Sequence, residues 1–255
     1  MNRQSGVRAA VVAAALLLGI AGCGGAGAPG EGKADGGARP TPSVSGSPSA
    51  SAPTTAPAPS GAAGNPPSAE VLPGMVGVAA ARQRLAALKV AAPGTMAGYS
   101  RDRFTHWAEQ GDRCDTRETV LARDGAGVTR DSECRAVSGR WKSLYDGAEI
   151  DDAKRLDIDH MVPLAEAWRS GAAGWDAAKR KAFANDLSGP QLLAVSASSN
   201  RSKGDQSPDL WQPTDKSSWC VYGRAWTTVK SLYGLTVTEA ERTTLTGMLD
   251  TCAAS

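Results

Sequence analysis

Two short segments of this chain carry side chains whose types and spacing could do chemistry. In the first, LDIDHMVP, Asp159 directly precedes His160, one of only two histidines among the 255 residues. In the second, SASSNRSKGD, Lys203 follows Asn200 by three residues. A histidine can deprotonate water near neutral pH, and carboxylate and amide oxygens are ligands that hard divalent cations prefer. Phosphodiester hydrolysis needs both, a base for the attacking water and positive charge for the oxygens that become negative.

The elements around these segments would bring the side chains together. RLDIDHMV is predicted to be a strand that breaks at Pro163, and GPQLLAVSASSN a second strand. Adjacent strand residues point to opposite sides, so Asp159 and His160 could flank one phosphate. Lys203 would share a helical face with Asn200 and neutralise phosphate charge, with Arg201 as a flanking contact. We therefore predict two catalytic residues, His160 and Lys203, and two metal ligands, Asp159 and Asn200.

Further polar residues could support this site or bind substrate, namely Asp157, Arg201, Asp205, Asp115 and Arg117. Each has a structural alternative. Asp157 could be a polar neighbour of the ligands, and Asp205 is better interpreted as a helix cap than as a ligand. Asp115 and Arg117 could line a cleft or cap the helix that starts beside them. His106, next to Trp107, is interpreted as a packed or surface histidine rather than a catalytic one.

The combined pattern, DHMVP followed by NRSKGD, resembles the HNH, or ββα-metal, endonuclease motif in a variant without its third histidine. The longer run from DIDHMVPLAEAWRSGA to PQLLAVSASSNRSKGDQSPDLW resembles secreted HNH endonuclease family proteins of actinobacteria. Those proteins are related to the nuclease domain of the GmrSD modification-dependent restriction enzymes. The resemblance extends from Tyr99 to Cys252 and includes CDTRETVL before the motif.

This resemblance implies an α+β, mostly helical fold, with a ββα-metal core and a helical insertion between the two core strands. It assigns the general base to His160, the metal-binding acid to Asp159, and the residues of the second segment to Asn200 and Lys203. One divalent cation is implied. No histidine follows His160, so we expect magnesium, with manganese or calcium as alternatives and zinc less favoured.

The amino-terminal part of the chain predicts export. Arginines precede the apolar run AAVVAAALLLGIAG, so residues 1–22 have the form of a signal peptide. The run ends in GIAGC, which resembles a lipobox and predicts lipidation of Cys23, with an ordinary cleaved signal as the alternative. Residues 23–69 are rich in Gly, Ala, Pro, Ser and Thr and are predicted to be a disordered tether. Residues 70–255 would form one nuclease domain.

The cysteines fit an oxidising compartment. If Cys23 carries a lipid, four remain, and an even number predicts two disulfides. Three connectivities are possible. The local one, Cys114 with Cys134 and Cys220 with Cys252, closes the shortest pair of loops.

The remaining segments predict mostly helices. We expect a helix in GVAAARQRLAALKV, another beginning near Ser100, a third from about Thr116, and a hairpin in SECRAVSGRWKSLYDG that turns at Ser138–Gly139. Two helices should lie between the core strands. Two amphipathic helices should end the chain, the second capped by TEAE.

The function that follows is a metal-dependent endonuclease outside the cytoplasm, held to the membrane through Cys23 or released. A net charge of +2 is too small to indicate a nucleic-acid partner by itself. Phosphate binding would therefore depend on a local patch of positive charge. We expect a nucleic-acid substrate, DNA in preference to RNA, and a monomer. The alternatives are an inactive HNH fold that binds nucleic acid, or an envelope lipoprotein with an interaction role.

Overall fold

A computed structural model of the chain describes residues 72–253. The predicted signal peptide, the lipidation site at Cys23 and the tether lie outside these described residues. Within them, the helix in GVAAARQRLAALKV, the two core strands, both insertion helices and both carboxy-terminal helices are present as predicted.

Helices and short strands alternate along the described part of the chain. The α-helices are α1 (Val78–Ala87), α2 (Thr116–Asp124), α3 (Leu164–Arg169), α4 (Ala177–Ala184), α5 (Ala197–Lys203), α6 (Trp219–Tyr233) and α7 (Glu239–Asp250). The strands are β1 (Glu109–Gly111), β2 (Cys114–Asp115), β3 (Ala126–Arg130), β4 (Ala136–Lys142), β5 (Glu149–Ile150), β6 (Leu156–His160) and β7 (Leu192–Ser196). Mixed helices and small antiparallel sheets confirm the predicted α+β class.

The centre of the fold is a ββα unit made of β6, β7 and α5. The two strands pair antiparallel, with Asp157 opposite Val195 and His160 opposite Leu192. Helix α5 begins directly after β7, and the Ser196 side chain caps it by accepting a hydrogen bond from the Ser199 amide. The helix then packs back on both strands. Asn200 and Lys203 are therefore returned to the strand that carries His160.

The insertion between β6 and β7 is helical, as predicted, and consists of α3, a 3-10 turn at Ala172–Gly174 and α4. Helix α3 follows Pro163, whose fixed φ suits a helix start. The Asp176 side chain caps α4 by accepting from the Lys179 amide. The carboxyl end of α4 thereby comes back beside the end of β6.

Each strand of the central pair is buried on both sides, and each side has its own apolar cluster. Leu192 and Ala194 face the cluster that contains Trp141 and Ile158. The residues that alternate with them, Leu193 and Val195, face a larger cluster that includes Phe104, Tyr145, Trp168, Tyr222 and Trp226. The larger cluster is completed by α1, α6 and α7. Strand alternation thus sets two different environments for neighbouring residues of β6.

Two local predictions are wrong. The segment from Ser100 forms only a 3-10 turn at Arg101–Arg103, followed by β1. A longer helix does not form because the backbone already leaves the helical region at Phe104, with φ at −105° and ψ at 82°. Further along, Trp107 has left-handed backbone, with φ at 57°. Ser138 and Gly139 lie inside β4 rather than in a turn. The turn is at residues 131–135, where the Asp131 carboxylate accepts from two backbone amides.

The two disulfides are those predicted. Cys114–Cys134 joins β2 to the turn between β3 and β4, and Cys220–Cys252 joins the start of α6 to the end of the chain after α7. The predicted cap of α7 is present as a capping box between Thr238 and Glu241. Among the described residues, no helix is long and apolar enough to cross a bilayer.

Candidate active site

His160 is the last residue of β6 and only 4% of its surface is exposed. Its Nε2 lies 3.0 Å from the Ala184 carbonyl oxygen at the end of α4. A carbonyl oxygen only accepts, so Nε2 carries the proton and Nδ1 of the neutral ring keeps its lone pair. Burial lowers the pKa of His160 to about 3, against the opposing effect of the Ala184 hydrogen bond. The ring is therefore a neutral base held in one orientation.

The face of the His160 ring is covered by an aromatic side chain from upstream in the chain. The Trp107 ring stacks on it, with centroids 5.8 Å apart and planes inclined by 25°. The His106 ring stands edge-on to the His160 ring, with centroids 6.5 Å apart. The two histidines of this chain are thus neighbours in space.

Asp159 points to the opposite side of β6, into the larger apolar cluster. Its Oδ2 accepts from the Lys203 ammonium at 2.7 Å and from the Tyr145 hydroxyl. Lys203 is completely buried and also donates to the His160 backbone oxygen at 2.9 Å. Burial lowers the pKa of Lys203, and the charge and hydrogen bond of Asp159 oppose that shift. Burial and the Asp159 carboxylate raise the pKa of the Tyr145 hydroxyl well above its ordinary value.

These contacts change what Lys203 can do. A fully buried ammonium that is paired with a carboxylate cannot contact a phosphate at the surface. The predicted role of Lys203 as a phosphate contact therefore does not fit this structure. Instead, Lys203 connects α5 to the backbone of His160 and stabilises the end of β6.

Asn200 lies beside Asp157 rather than beside Asp159. The Asn200 side-chain amide donates to Asp157 Oδ2 at 3.2 Å, and both residues are partly exposed. Arg201 is mostly exposed, and its Nε lies 3.8 Å from the same Asp157 oxygen. Asp157 and Asp159 lie on the same face of β6, because side chains two positions apart in a strand point to the same side.

The residues near Asn200 fit an oxygen-preferring cation better than zinc. In residues 72–253, no group of three or more His, Cys, Asp or Glu side chains is arranged to hold a metal ion. The Asp157 carboxylate and the Asn200 side-chain oxygen are hard donors at a partly exposed position, which suits a cation that keeps several water ligands. Asp159 fits less well because the Lys203 ammonium beside it would repel a dication.

The other predicted site residues have structural partners. Asp115 caps α2 by accepting from the Glu118 amide at 2.8 Å, which was one of its two alternatives. Arg117 donates to the backbone oxygens of Ala153 and Leu156, both at 3.2 Å, and so supports the start of β6. Asp205 is not a helix cap. It forms an ion pair with Arg169 of α3 at 2.7 Å.

Sequence reasoning missed residues that surround His160. Gln191 is completely buried and holds the chain after His160, because its side chain accepts from the Val162 amide and donates to the Val162 carbonyl. Its place directly before β7 was the one signal in the sequence. Nothing local marked Arg101 or Tyr145, and His106 was interpreted only as a packed or surface histidine, since their proximity to β6 depends on chain segments far apart in sequence.

The architecture and the site together define the class: an α+β domain in which a ββα unit presents a neutral, carbonyl-anchored histidine. Residues 116–248 match the family model described as "GmrSD restriction endonucleases, C-terminal domain". The match spans β6, β7 and α5, and hence His160 and Asn200. The chain belongs to this family.

A relative in the fungus Arthroderma benhamiae, named "Uncharacterized secreted protein", is 51% identical over 180 residues. The alignment covers 71% of this chain and 88% of the relative. No solved structure matches the chain. Because this relative is fungal, the actinobacterial part of the resemblance stays a prediction.

Proposed function

We propose that this protein is an exported endonuclease that hydrolyses phosphodiester bonds of nucleic acid, with DNA favoured as the substrate. One observation carries the proposal: His160 ends the first strand of a ββα unit and its Nε2 is bound to a backbone carbonyl, which leaves Nδ1 to accept a proton. The family to which the chain belongs is named for restriction endonucleases, which supports phosphodiester hydrolysis as the reaction.

In the proposed reaction, His160 Nδ1 takes a proton from the water that attacks phosphorus. The Ala184 carbonyl keeps Nε2 protonated, so the ring cannot present the wrong nitrogen. Lys203 holds the backbone oxygen of His160, and Gln191 holds the backbone of Val162 just after it. Only 4% of the His160 surface is exposed, so the attacking water reaches Nδ1 only if the groups around the ring move apart.

The divalent cation that we propose would be held by Asn200 with a carboxylate of β6. The sequence prediction names Asp159 as that carboxylate. The contact between Asn200 and Asp157, and the pairing of Asp159 with Lys203, favour Asp157. A cation bound there would stabilise the charge that develops on the phosphoryl and leaving oxygens.

We also propose export, with a lipid anchor on Cys23 or release from the cell, and a monomeric protein. The apolar amino terminus and the GIAGC sequence support export. Two disulfides in the described domain fit an oxidising compartment, and the fungal relative is named as secreted. Replacing Cys23 by serine should move the protein from the membrane fraction to the medium. A Cys23→Ser protein that stays with the membrane would contradict the lipid anchor.

The test of the nuclease is cleavage of plasmid and single-stranded DNA by purified protein with intact disulfides. Reactions contain EDTA, or magnesium, manganese, calcium or zinc, beside a His160→Ala variant. We expect cleavage that requires the cation and falls by at least about a hundredfold in the variant, as for loss of a general base. Cleavage that is unchanged in the variant would exclude His160 as the base.

A second candidate is a domain that binds nucleic acid without cutting it. The burial of His160 and of Lys203 favours this candidate, because both side chains are closed off from solvent. Binding of DNA without cleavage under every cation tested would identify it.

A further inference from the structure

Because Lys203 is buried, another positively charged side chain is needed to contact the substrate phosphate beside His160. Arg101 is exposed, and it lies in the turn that precedes His106 and Trp107. Its Nε donates to His106 Nε2 at 3.3 Å. The His106 ring stands edge-on to the His160 ring, with centroids 6.5 Å apart, so the Arg101 guanidinium that donates to His106 lies near the base.

The hydrogen bonds of His106 define its role toward Arg101. His106 Nδ1 lies 2.7 Å from the Phe104 carbonyl oxygen and must donate to it. In the neutral ring, Nε2 then has the lone pair that accepts from Arg101. One nitrogen of His106 is fixed on the backbone and the other holds the guanidinium.

The rest of the Arg101 guanidinium is available to a ligand. Among the described residues, the guanidinium bonds to His106 and forms no ion pair with a carboxylate. By contrast, the Arg103 guanidinium lies over the Trp168 ring, 5.7 Å from its centroid. A guanidinium with free N–H groups binds phosphate oxygens in pairs, with defined geometry.

The segment that carries Arg101 and His106 is fixed to the same helix end as His160. The Ala184 carbonyl binds His160, and the next residue, Asn185, accepts from the Ala108 amide at 2.8 Å. The Asn185 amide nitrogen also donates to the Thr105 carbonyl at 2.7 Å. Ala184 and Asn185, at the end of α4, therefore fix the position of His160 relative to the segment that carries Arg101 and His106.

We propose that Arg101 contacts a phosphate of bound nucleic acid beside His160, and that His106 is the positioning residue that holds the Arg101 guanidinium. This inference rests on the proposed function. It assigns to Arg101 the charge neutralisation that the sequence prediction placed on Lys203. Arg101 acts on the bound phosphate directly, and His106 acts only through Arg101.

The experiment measures DNA binding in a His160→Ala background, so that cleavage cannot interfere. Fluorescence anisotropy of a labelled duplex and a labelled single strand is recorded in EDTA at several salt concentrations. Arg101→Gln should weaken binding about tenfold and reduce the salt slope by about one. Arg101→Lys should retain part of the affinity, because it keeps the charge and loses the paired geometry.

A double-mutant cycle separates contact from positioning. His106→Ala should weaken binding when Arg101 is present and have little further effect when Arg101 is already glutamine. Arg242→Gln, on α7 and away from this segment, makes the same charge change and should leave affinity within about twofold. Unfolding midpoints of all variants should equal that of the background protein.

The outcomes separate this inference from the proposed function, because cleavage by the protein with native His160 is measured in parallel. If that protein cleaves DNA but Arg101→Gln binds with unchanged affinity and salt slope, the inference fails alone. An additive loss from His106→Ala in the Arg101→Gln protein would exclude the positioning role. If Arg101→Gln weakens binding while no cation supports cleavage, the phosphate contact stands and the nuclease fails. If the protein binds no DNA, both fail.

Discussion

Asp159 and His160 are adjacent in sequence and have opposite surroundings. The carboxylate faces an ammonium and a phenol in the larger apolar cluster, whereas the imidazole faces Trp107 and a backbone carbonyl. The alternation of side chains along β6 separates them. At the scale of the residue, the imidazole and the neighbouring carboxylate therefore have different partners and different charges around them.

The buried, neutral state of His160 predicts a dependence of stability on pH. Its pKa is about 3 in the folded protein and 6.5 is its ordinary value, so between these values the unfolded chain binds the extra proton. The free energy of unfolding therefore falls as the pH falls from 6.5 toward 3. At about pH 4.5 the loss from this one residue is about 2–3 kcal/mol.

His160→Gln isolates this effect, because the amide can still donate to the Ala184 carbonyl and does not titrate. Between about pH 7.5 and about pH 4.5, the free energy of unfolding should fall in both proteins, as measured by urea unfolding. The fall should be about 2–3 kcal/mol smaller in the variant than in the native protein. The carboxylates titrate alike in both proteins and cancel in the comparison. Equal losses would mean that His160 is not held neutral.

Asp157→Asn and Asp159→Asn distinguish the aspartate that binds the metal ion from the one that stabilises the fold. Asp159→Asn leaves the buried Lys203 ammonium without its carboxylate and should lower the free energy of unfolding by about 3–5 kcal/mol. Asp157 is partly exposed, so Asp157→Asn should lower the free energy of unfolding by less than about 1 kcal/mol. The same substitution should weaken the binding of magnesium or manganese, as measured by calorimetry. Loss of ion binding in Asp159→Asn, with stability unchanged, would return the ligand role to Asp159.

At the scale of the element, a buried cation joins three helices. Lys230 of α6 lies 3.0 Å from Glu166 of α3 and 3.0 Å from Glu241 of α7, and its side chain is completely buried. Burial raises the pKa of Glu241 above its ordinary value, and the charge of Lys230 opposes this. The insertion helix α3 is thereby tied to the two carboxy-terminal helices.

Lys230→Met should lower the free energy of unfolding by about 3–5 kcal/mol, because it leaves the buried Glu241 carboxylate without a cation and leaves Glu166 with Arg169 alone. Guanidinium unfolding, followed by tryptophan fluorescence, measures the change. Lys154→Met, at an exposed lysine, should change stability by less than about 0.5 kcal/mol. Adding Glu166→Gln and Glu241→Gln to Lys230→Met should restore part of the loss, and no recovery would show that charge is not the cause.

At the scale of the whole molecule, two disulfides close loops between cysteines that are 20 and 32 residues apart in sequence. The chain-entropy relation gives about 3 kcal/mol for the shorter loop and about 4 kcal/mol for the longer. Cys114→Ser with Cys134→Ser, and Cys220→Ser with Cys252→Ser, should lower the free energy of unfolding by these amounts. A reducing agent should shift the unfolding midpoint of the native protein and leave that of the four-serine variant unchanged.

The elements with strong local signals were predictable from the sequence. The chain breaks between β6 and α3 at Pro163, the TEAE sequence caps α7, and β6 and β7 pair as expected. The segment around Trp107 was not predictable, because left-handed backbone is uncommon for a bulky residue and the contacts of Trp107 with His160 and the smaller apolar cluster join distant parts of the chain. The role of Lys203 was also missed, since spacing along a helix does not show whether that face is buried.

The sequence by itself determined the local chemistry and the order of the elements: Asp159 beside His160, Asn200 three residues before Lys203, an even number of cysteines (four) in residues 70–255, and a helical insertion between two strands. These are properties of residue type and short-range periodicity. Only the tertiary structure decided which side chains meet. It buried Lys203 against Asp159 and brought Arg101 and His106 beside His160. Contacts between distant segments depend on how whole faces are buried, and this is settled only when the elements pack.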